Sequence, residues 1–319
     1  MQFFTQFVIY KINKMKTTYF ISLEIIITLL SLYFFGKTES QAYNHESYSN
    51  MDRSTWMSKL PDSSRLSDIT IPGSHDSMSL HGGFAAQTQS LFLQDQLKVG
   101  IRAIDIRCRW YRDSFPIHHG IIFQKTYFDS VLQTVVSFLH SNPNETILLK
   151  IKQEYDSSQN TKSFWQIYQN YVAPVNQSVW IPTSANPNLS EIRGKIVILD
   201  DYSTSSTPQN FTSYGISYKS RELFDSQNFY QLKTPLEMTK KWKLVKNQAL
   251  KANNSRGSSY FVNHLSGNGD ATGVFPYFVA SGRATSGPNS DQLFTGVTDP
   301  LGKKMFPPEF PRRHCLLGI

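Results

Sequence analysis

Strand and helix signals alternating at intervals of about 40 residues along 319 residues predict a single α/β barrel. Short β-branched runs read as buried strands, amphipathic stretches lie between them, and no composition break or linker divides the chain. From the N-terminus, residues 19–35 read YFISLEIIITLLSLYFF behind Lys11, Lys14 and Lys16 and ahead of Ser40-Gln41-Ala42. This is the layout of a signal peptide over 1–42, with Met15 an alternative start and a retained membrane signal anchor the competing reading. Residues 43–55 form a polar lead-in, and periodicity begins near Trp56. Strands are expected at 69–71, 101–106, 147–151, 196–199, 260–263 and 315–319. The clearest helix is 129–140, with Asp129 as N-cap and Val131, Val135, Phe138 and Leu139 on one face, stopped by Asn142-Pro143.

A composition of 39% hydrophobic and 18% charged residues excludes a disordered tail, and two cysteines, Cys108 and Cys315, exclude a disulfide framework or a zinc module. The sequence leaves a disulfide between those two open. The net charge of +8 suits an anionic partner. The presequence carries four Lys against two Glu, so the basic balance belongs to the folded part. Sequons begin at Asn144, Asn176, Asn188, Asn210 and Asn253, compatible with a secreted glycoprotein. Dispersed Lys and Arg with no recognised motif argue against nucleic acid. Trp242, Phe275, Tyr277 and Phe278 read as core, with a membrane-facing rim as the alternative.

Three strand ends carry chemistry. At Ile71-Pro72-Gly73-Ser74-His75-Asp76-Ser77 a β run breaks and presents His75 and Asp76 on the following loop, where barrel catalysts sit. Alternation along the next strand places Asp105, Arg107 and Arg109 on one face, and buried charges there must pair or bind something. His118-His119-Gly120 supplies a second histidine. Two histidines flanking an arginine suit phosphodiester cleavage: one imidazole takes a proton, the other gives one, and guanidinium grips the phosphate oxygens. An architectural Arg–Asp pair is the competing reading, and His45, His81, His140, His264 and His314 read as structural or surface residues.

These motifs, with Asn142-Pro143-Asn144-Glu145-Thr146 and the Lys-Ile-Lys strand that follows, resemble in order and spacing the X domain of phosphatidylinositol-specific phospholipases C, of the secreted single-domain type found in bacteria. The resemblance covers about residues 56–319 and implies an irregular TIM barrel. It implies that His75 is the general base on the inositol 2-hydroxyl, that His119 protonates the diacylglycerol oxygen and that Asp76 assists on the leaving-group side. Arg107 would neutralise the phosphate, Asp105 position Arg107, and Lys152, with Asp105 and Arg109, serve headgroup binding. Calcium-dependent relatives carry a carboxylate where Arg107 stands, so neither metal nor cofactor is expected. The expected protein is a secreted monomer acting on phosphatidylinositol or glycosyl-phosphatidylinositol at a membrane surface.

Two departures stand out. Asp200-Asp201 follow residues 195–199, where the family usually has a basic residue that contributes to inositol binding. The chain also reaches Ile319 without the downstream aspartate expected to orient the first histidine, so the barrel is expected to lack its last strand or strands. A catalytically weak headgroup-binding protein, or a truncated isoform, is therefore the alternative. A metal-dependent glycerophosphodiesterase ranks lower, because Arg107 intervenes among the carboxylates such a site needs.

Overall fold

A computed structural model of the chain describes residues 49–202, 213–255, 257, 259–269, 274–282 and 316–317. The signal-peptide reading, the Met15 start, Asn210 and Cys315 lie outside the described residues. Five parallel strands overlap the predicted apolar runs: β2 (Ala103–Cys108), β5 (Ile147–Gln153), β6 (Ile196–Asp200), β9 (Tyr260–Asn263) and β10 (Leu316–Leu317). By contrast, β1 (Ile71–Ser74) shares only Ile71 with the predicted 69–71 and continues through the Pro72-Gly73 expected to break it, because Gly73 and Ser74 pair with Ala103 and Ile104 of β2. Short strands β7 (Ile216–Ser217) and β8 (Phe224–Gln227) complete the order β7-β6-β5-β2-β1-β10-β9-β8. A hairpin of β3 (Pro116–His119) and β4 (Ile122–Tyr127) hangs antiparallel from β2 through the Cys108–Ile117 pair.

The strand expected at 315–319 is present over two residues, as β10. Leu316 and Leu317 pair in parallel with Ile71 and Pro72 of β1 on one side and with Val262 and Asn263 of β9 on the other. That position must be filled because β1 and β9 would otherwise face each other with unpaired backbone groups. Among the described residues the opening of the barrel falls between β7 and β8.

Helices clad the outside. The first two are α1 (Gly83–Ala86) and α2 (Leu93–Lys98), and α3 (Phe128–Ser141) brackets the predicted 129–140. Tyr127, not Asp129, is the N-cap residue of α3, and Asp129 sits in the first turn, where its charge complements the helix dipole. α4 (Phe164–Val172) starts at a Ser163/Gln166 capping box. α5 (Leu189–Ile192), α6 (Glu237–Asn254) and α7 (Pro276–Ser281) follow.

Strand parity organises the core. Ile104, Ile106, Leu149, Ile151, Ile196 and Ile198 pack outward against Val135, Leu139, Phe164 and Tyr168 of α3 and α4. Ala103, Leu148, Val197 and Leu199 join Ile71, Ile216 and Val262 in the second buried cluster. Continuing that inward parity toward the C-terminal strand ends brings up Asp105, Arg107, Lys150, Lys152 and Glu154, so one end of the barrel is apolar filling and the other is charged. Phe278 is buried, with Trp242 and Tyr277 packed beside it, in keeping with a core role rather than a rim. Cys108 is a buried free thiol.

Candidate active site

The turn after β1 is held by a hydroxyl network. Ser77 Oγ donates to Ser74 O at 2.9 Å and accepts from Asp105 N–H at 2.8 Å, locking the turn to β2. Asp76 takes φ +43°, a left-handed conformation that aspartate tolerates better than most residues, and so turns His75 and Asp76 toward the strand ends. Gln89 Nε2, from the cavity wall, donates to His75 O at 2.6 Å and fixes the loop.

His75 has different neighbours on its two nitrogens. Nδ1 lies 3.4 Å from Asp105 Oδ2, while Arg107 Nη2 approaches Nε2 at 3.2 Å. Asp76 Oδ2 also lies 3.3 Å from Nε2, so a carboxylate stands beside each nitrogen. The guanidinium donor at Nε2 is what favours the tautomer protonated at Nδ1, its Nε2 lone pair accepting from Arg107 until that guanidinium turns to a phosphate. Burial, reinforced by the Arg107 charge, holds His75 well below its ordinary value, so it is neutral near pH 7.

Arg107 is the centre of the charge network. It donates to Asp105 Oδ2 through Nε at 3.3 Å and Nη2 at 3.2 Å, sits against Asp76 Oδ1, and points Nη1 at Glu154 Oε2, 3.4 Å away. Asp76 is pushed up to about 8 by burial, against the pull of Arg107. Asp105, despite its burial, is held well below the usual carboxylate range by Lys150 and Arg107.

His119 stands at the end of β3. Its Nδ1 donates to Ala86 O at 2.6 Å, with Ser79 Oγ 3.1 Å away, which turns Nε2 toward Asp76 Oδ2 at 3.6 Å. Burial lowers its pKa. Glu154 Oε1 accepts from Gly120 N–H at 2.9 Å and so ties this histidine's strand end to Arg107. A cavity of about 650 Å³ opens over these groups, with His75, Asp76, Arg107, His119 and Lys152 in its wall.

With this geometry in view, the similarities to known proteins are consistent. The model of phosphatidylinositol-specific phospholipase C, X domain, matches residues 63–202. A 1-phosphatidylinositol phosphodiesterase of Listeria monocytogenes is 31% identical over 262 residues, covering 76% of this chain and 79% of that protein. The chain belongs to the phosphatidylinositol-specific phospholipase C family. A 1-phosphatidylinositol phosphodiesterase of Staphylococcus aureus is 34% identical over 66% of this chain and 74% of its own length. Among solved structures, the Listeria phospholipase C matches with TM-score 0.59 at 31% identity, over 68% of this chain and 80% of that one. A Staphylococcus aureus phospholipase C, from work on its membrane binding, matches with TM-score 0.63 at 26% identity, over 78% and 97%.

Of the residues that the family pattern singles out, His75, Asp76, Asp105, Arg107, His119 and Lys152 meet in one place. Lys152 is 39% exposed, with Nζ 3.8 Å from Glu154 Oε2. Arg109 does not join them. β2 ends at Cys108, so the alternation stops, and Arg109 stacks between the rings of Tyr111 and Tyr155 while donating to Asp156 O.

Sequence reasoning missed five neighbours of the site. Lys150 shares the parity of Lys152 on β5 but sits singly inside an apolar run, and Glu154 lies one residue past the end of that strand. Asp201 was visible only as a departure from the family, and the cation facing it is Lys150, 3.2 Å away. Tyr218 and His264, joined at 3.2 Å from Oη to Nε2, arrive from the far side of the barrel, and His264 meets His75 edge-on at 6.3 Å. Nothing local in the sequence signals them. His75, Asp76 and Asp105 present ligand-type atoms within 4.8 Å of one another, but Arg107 contacts both carboxylates, so a fixed positive charge already stands beside that cluster.

Proposed function

We propose that this protein cleaves phosphatidylinositol, free or within a glycosyl-phosphatidylinositol anchor, to diacylglycerol and an inositol cyclic phosphate, without a metal. The observation that carries the reading is the division of labour around Arg107, with neutral His75 on one side and His119 paired with Asp76 on the other. The inositol 2-hydroxyl attacks phosphorus and loses its proton to His75 Nε2. The bond from phosphorus to the glycerol oxygen breaks, and that oxygen takes a proton from His119. Arg107 offers its guanidinium to the non-bridging oxygens, and Lys152, on the cavity wall, contacts inositol hydroxyls. Attack from within the substrate makes orientation a large part of the rate.

The reading includes secretion, supported by the basic-apolar-polar pattern over 1–42 and by exposure of the sequon asparagines Asn144, Asn176 and Asn253. Among the described residues no helix is long and apolar enough to cross a membrane. The names of its Listeria and Staphylococcus relatives supply the substrate class.

The test is release of inositol cyclic phosphate from phosphatidylinositol vesicles with chelator present. Turnover that is lost in His75→Ala and His119→Ala is expected. Vesicle binding without turnover, or turnover that survives His75→Ala, overturns the proposal.

A further inference from the structure

Lys150 stands directly across from Asp105 in the β2–β5 register, deep in the barrel, with its side chain 6% exposed. Its Nζ lies 3.3 Å from Asp105 Oδ1, 3.2 Å from Asp201 Oδ2 and 4.7 Å from the centre of the Tyr218 ring. It does not line the cavity, whereas its neighbour Lys152 does. A buried ammonium with two carboxylates and an aromatic face around it has its geometry fixed from three directions.

That arrangement divides the Asp105 carboxylate. Oδ1 belongs to Lys150, and Oδ2 is left to Arg107, to Asp76 N–H at 3.3 Å and to His75 Nδ1 at 3.4 Å. Without Lys150, Oδ1 loses its donor and the carboxylate is held through Oδ2 alone, by Arg107 and Asp76 N–H, so its plane is fixed at one oxygen instead of two. We propose that Lys150 is a positioning residue for the general base: anchored by Asp201 and Tyr218, it fixes the Asp105 carboxylate that faces His75 Nδ1 at 3.4 Å and so favours the tautomer protonated there. The proposal rests on His75 acting as the base in the function proposed above.

The charged and titratable groups facing His75 give the sign of the effect. They are Asp76 on its own turn, Asp105 and Arg107 on β2, Lys150 on β5, and His264 after β9 with Tyr218 behind it. Removing the Lys150 cation leaves Asp105 and Asp201 less compensated, and both changes stabilise imidazolium. His75 therefore titrates at higher pH when Lys150 is neutralised. A lysine that merely compensates charge in the core would change stability without changing the tautomer.

The experiment uses Lys150→Met, Lys150→Arg and Asp201→Asn in the whole chain, reading His75 by nuclear magnetic resonance titration and turnover on phosphatidylinositol vesicles. In Lys150→Met the His75 titration is expected to move up, with a mixed-tautomer nitrogen signature, and kcat to fall at least about tenfold with KM changed less than about twofold. Lys150→Arg is expected to restore most of the titration and part of kcat. Asp201→Asn, altering a carboxylate 15% exposed, keeps the fold and is expected to lower kcat several-fold, which decides the matter if Lys150→Met does not fold. His75 titrating and turning over as in the unaltered protein in the folded variants overturns the proposal. A shifted His75 titration in a chain that never turns over supports the positioning role and overturns the proposed function instead.

Discussion

At the end of the barrel opposite His75, Arg102 and Glu145 form an ion pair at 2.8 Å with side chains 0% and 1% exposed. Glu145 also accepts from Met57 N–H at 3.3 Å and Ser58 N–H at 3.1 Å, tying the segment around Trp56 to the start of β5. Glu145→Ala removes one partner from a buried pair, which costs about 3–5 kcal/mol. The two amides lose their acceptor as well, at about 1 kcal/mol each, in a network where such terms do not add fully. Arg102 keeps carbonyl acceptors at Leu97, Ile101 and Ser54, and its guanidinium still stacks 4.5 Å from the Phe138 ring, so the loss stays near about 4 kcal/mol rather than rising further. That is a large part of the about 5–15 kcal/mol that holds an ordinary domain together. Urea unfolding is the assay: the midpoint should fall sharply with the slope unchanged, Arg102→Met should couple strongly to Glu145→Ala in a double-mutant cycle, and kcat/KM of the folded fraction should stay the same. A loss below about 1 kcal/mol would show that the pair is not what holds this end of the barrel, and a fall in kcat/KM at constant stability would move Glu145 from architecture to function.

Two further outcomes follow from the buried titratable groups. His75 is held well below 6.5 and Asp76 is pushed up to about 8, so kcat/KM should stay level from below pH 6.5 and then decline as pH rises through about 8. In Asp76→Asn the alkaline limb should move below 6.5, because His119, lowered by burial, then has to supply its own proton; a pH profile identical to that of the unaltered protein would contradict this. Lys241 on α6 is fully buried, its Nζ has no hydrogen-bond partner among the described residues, and burial lowers it to about 7. Between pH 7 and 10.5 the unfolded chain binds the proton that the folded chain lacks, so the cost of Lys241 is absent above 10.5 and grows as pH falls toward 7. Lys241→Met should therefore raise stability by up to about 5 kcal/mol at pH 7, with the gain vanishing near pH 10.5, as read by denaturation across that range.

The parts of the fold legible in the sequence are those where burial on both faces writes itself as an apolar run, as in Ile147-Leu148-Leu149 or Ile196-Val197-Ile198. The β3–β4 hairpin was not legible, because its turn at Gly120, with φ +54°, is followed by Ile121 rather than by a second turn-forming residue. β7 spans only two residues and leaves no periodic trace. In the site, His75, Asp76, Arg107 and His119 were readable because each sits at or just beyond a strand end, where a polar residue interrupts an apolar pattern. Lys150 was hidden by the same logic. It lies inside an apolar run, and a single charge there reads as noise until its neighbours across the barrel are known. Arg109 failed in the opposite direction, since alternation predicts a face only as far as the strand continues.

The charges that meet at the strand ends also favour Asp76 as the group that takes up a proton in the proposed reaction. Asp76, Asp105, Glu154 and Asp201 face Arg107, Lys150 and Lys152, which leaves one excess negative charge if every group takes its ordinary state. A phosphodiester adds another, so a proton taken up at the site favours binding. Asp105 cannot be its seat, because Lys150 and Arg107 hold it ionised against its burial. Asp76 can: it is buried and already shifted toward the neutral form, and its Oδ2 is 3.6 Å from His119 Nε2. Binding of the phosphate then strengthens the hold on that proton, and breaking the bond to the glycerol oxygen, which develops negative charge there, draws it back through His119. In the proposed reaction the buried aspartate therefore serves as the reservoir and the histidine as the outlet, while Arg107 keeps both within reach of the phosphate.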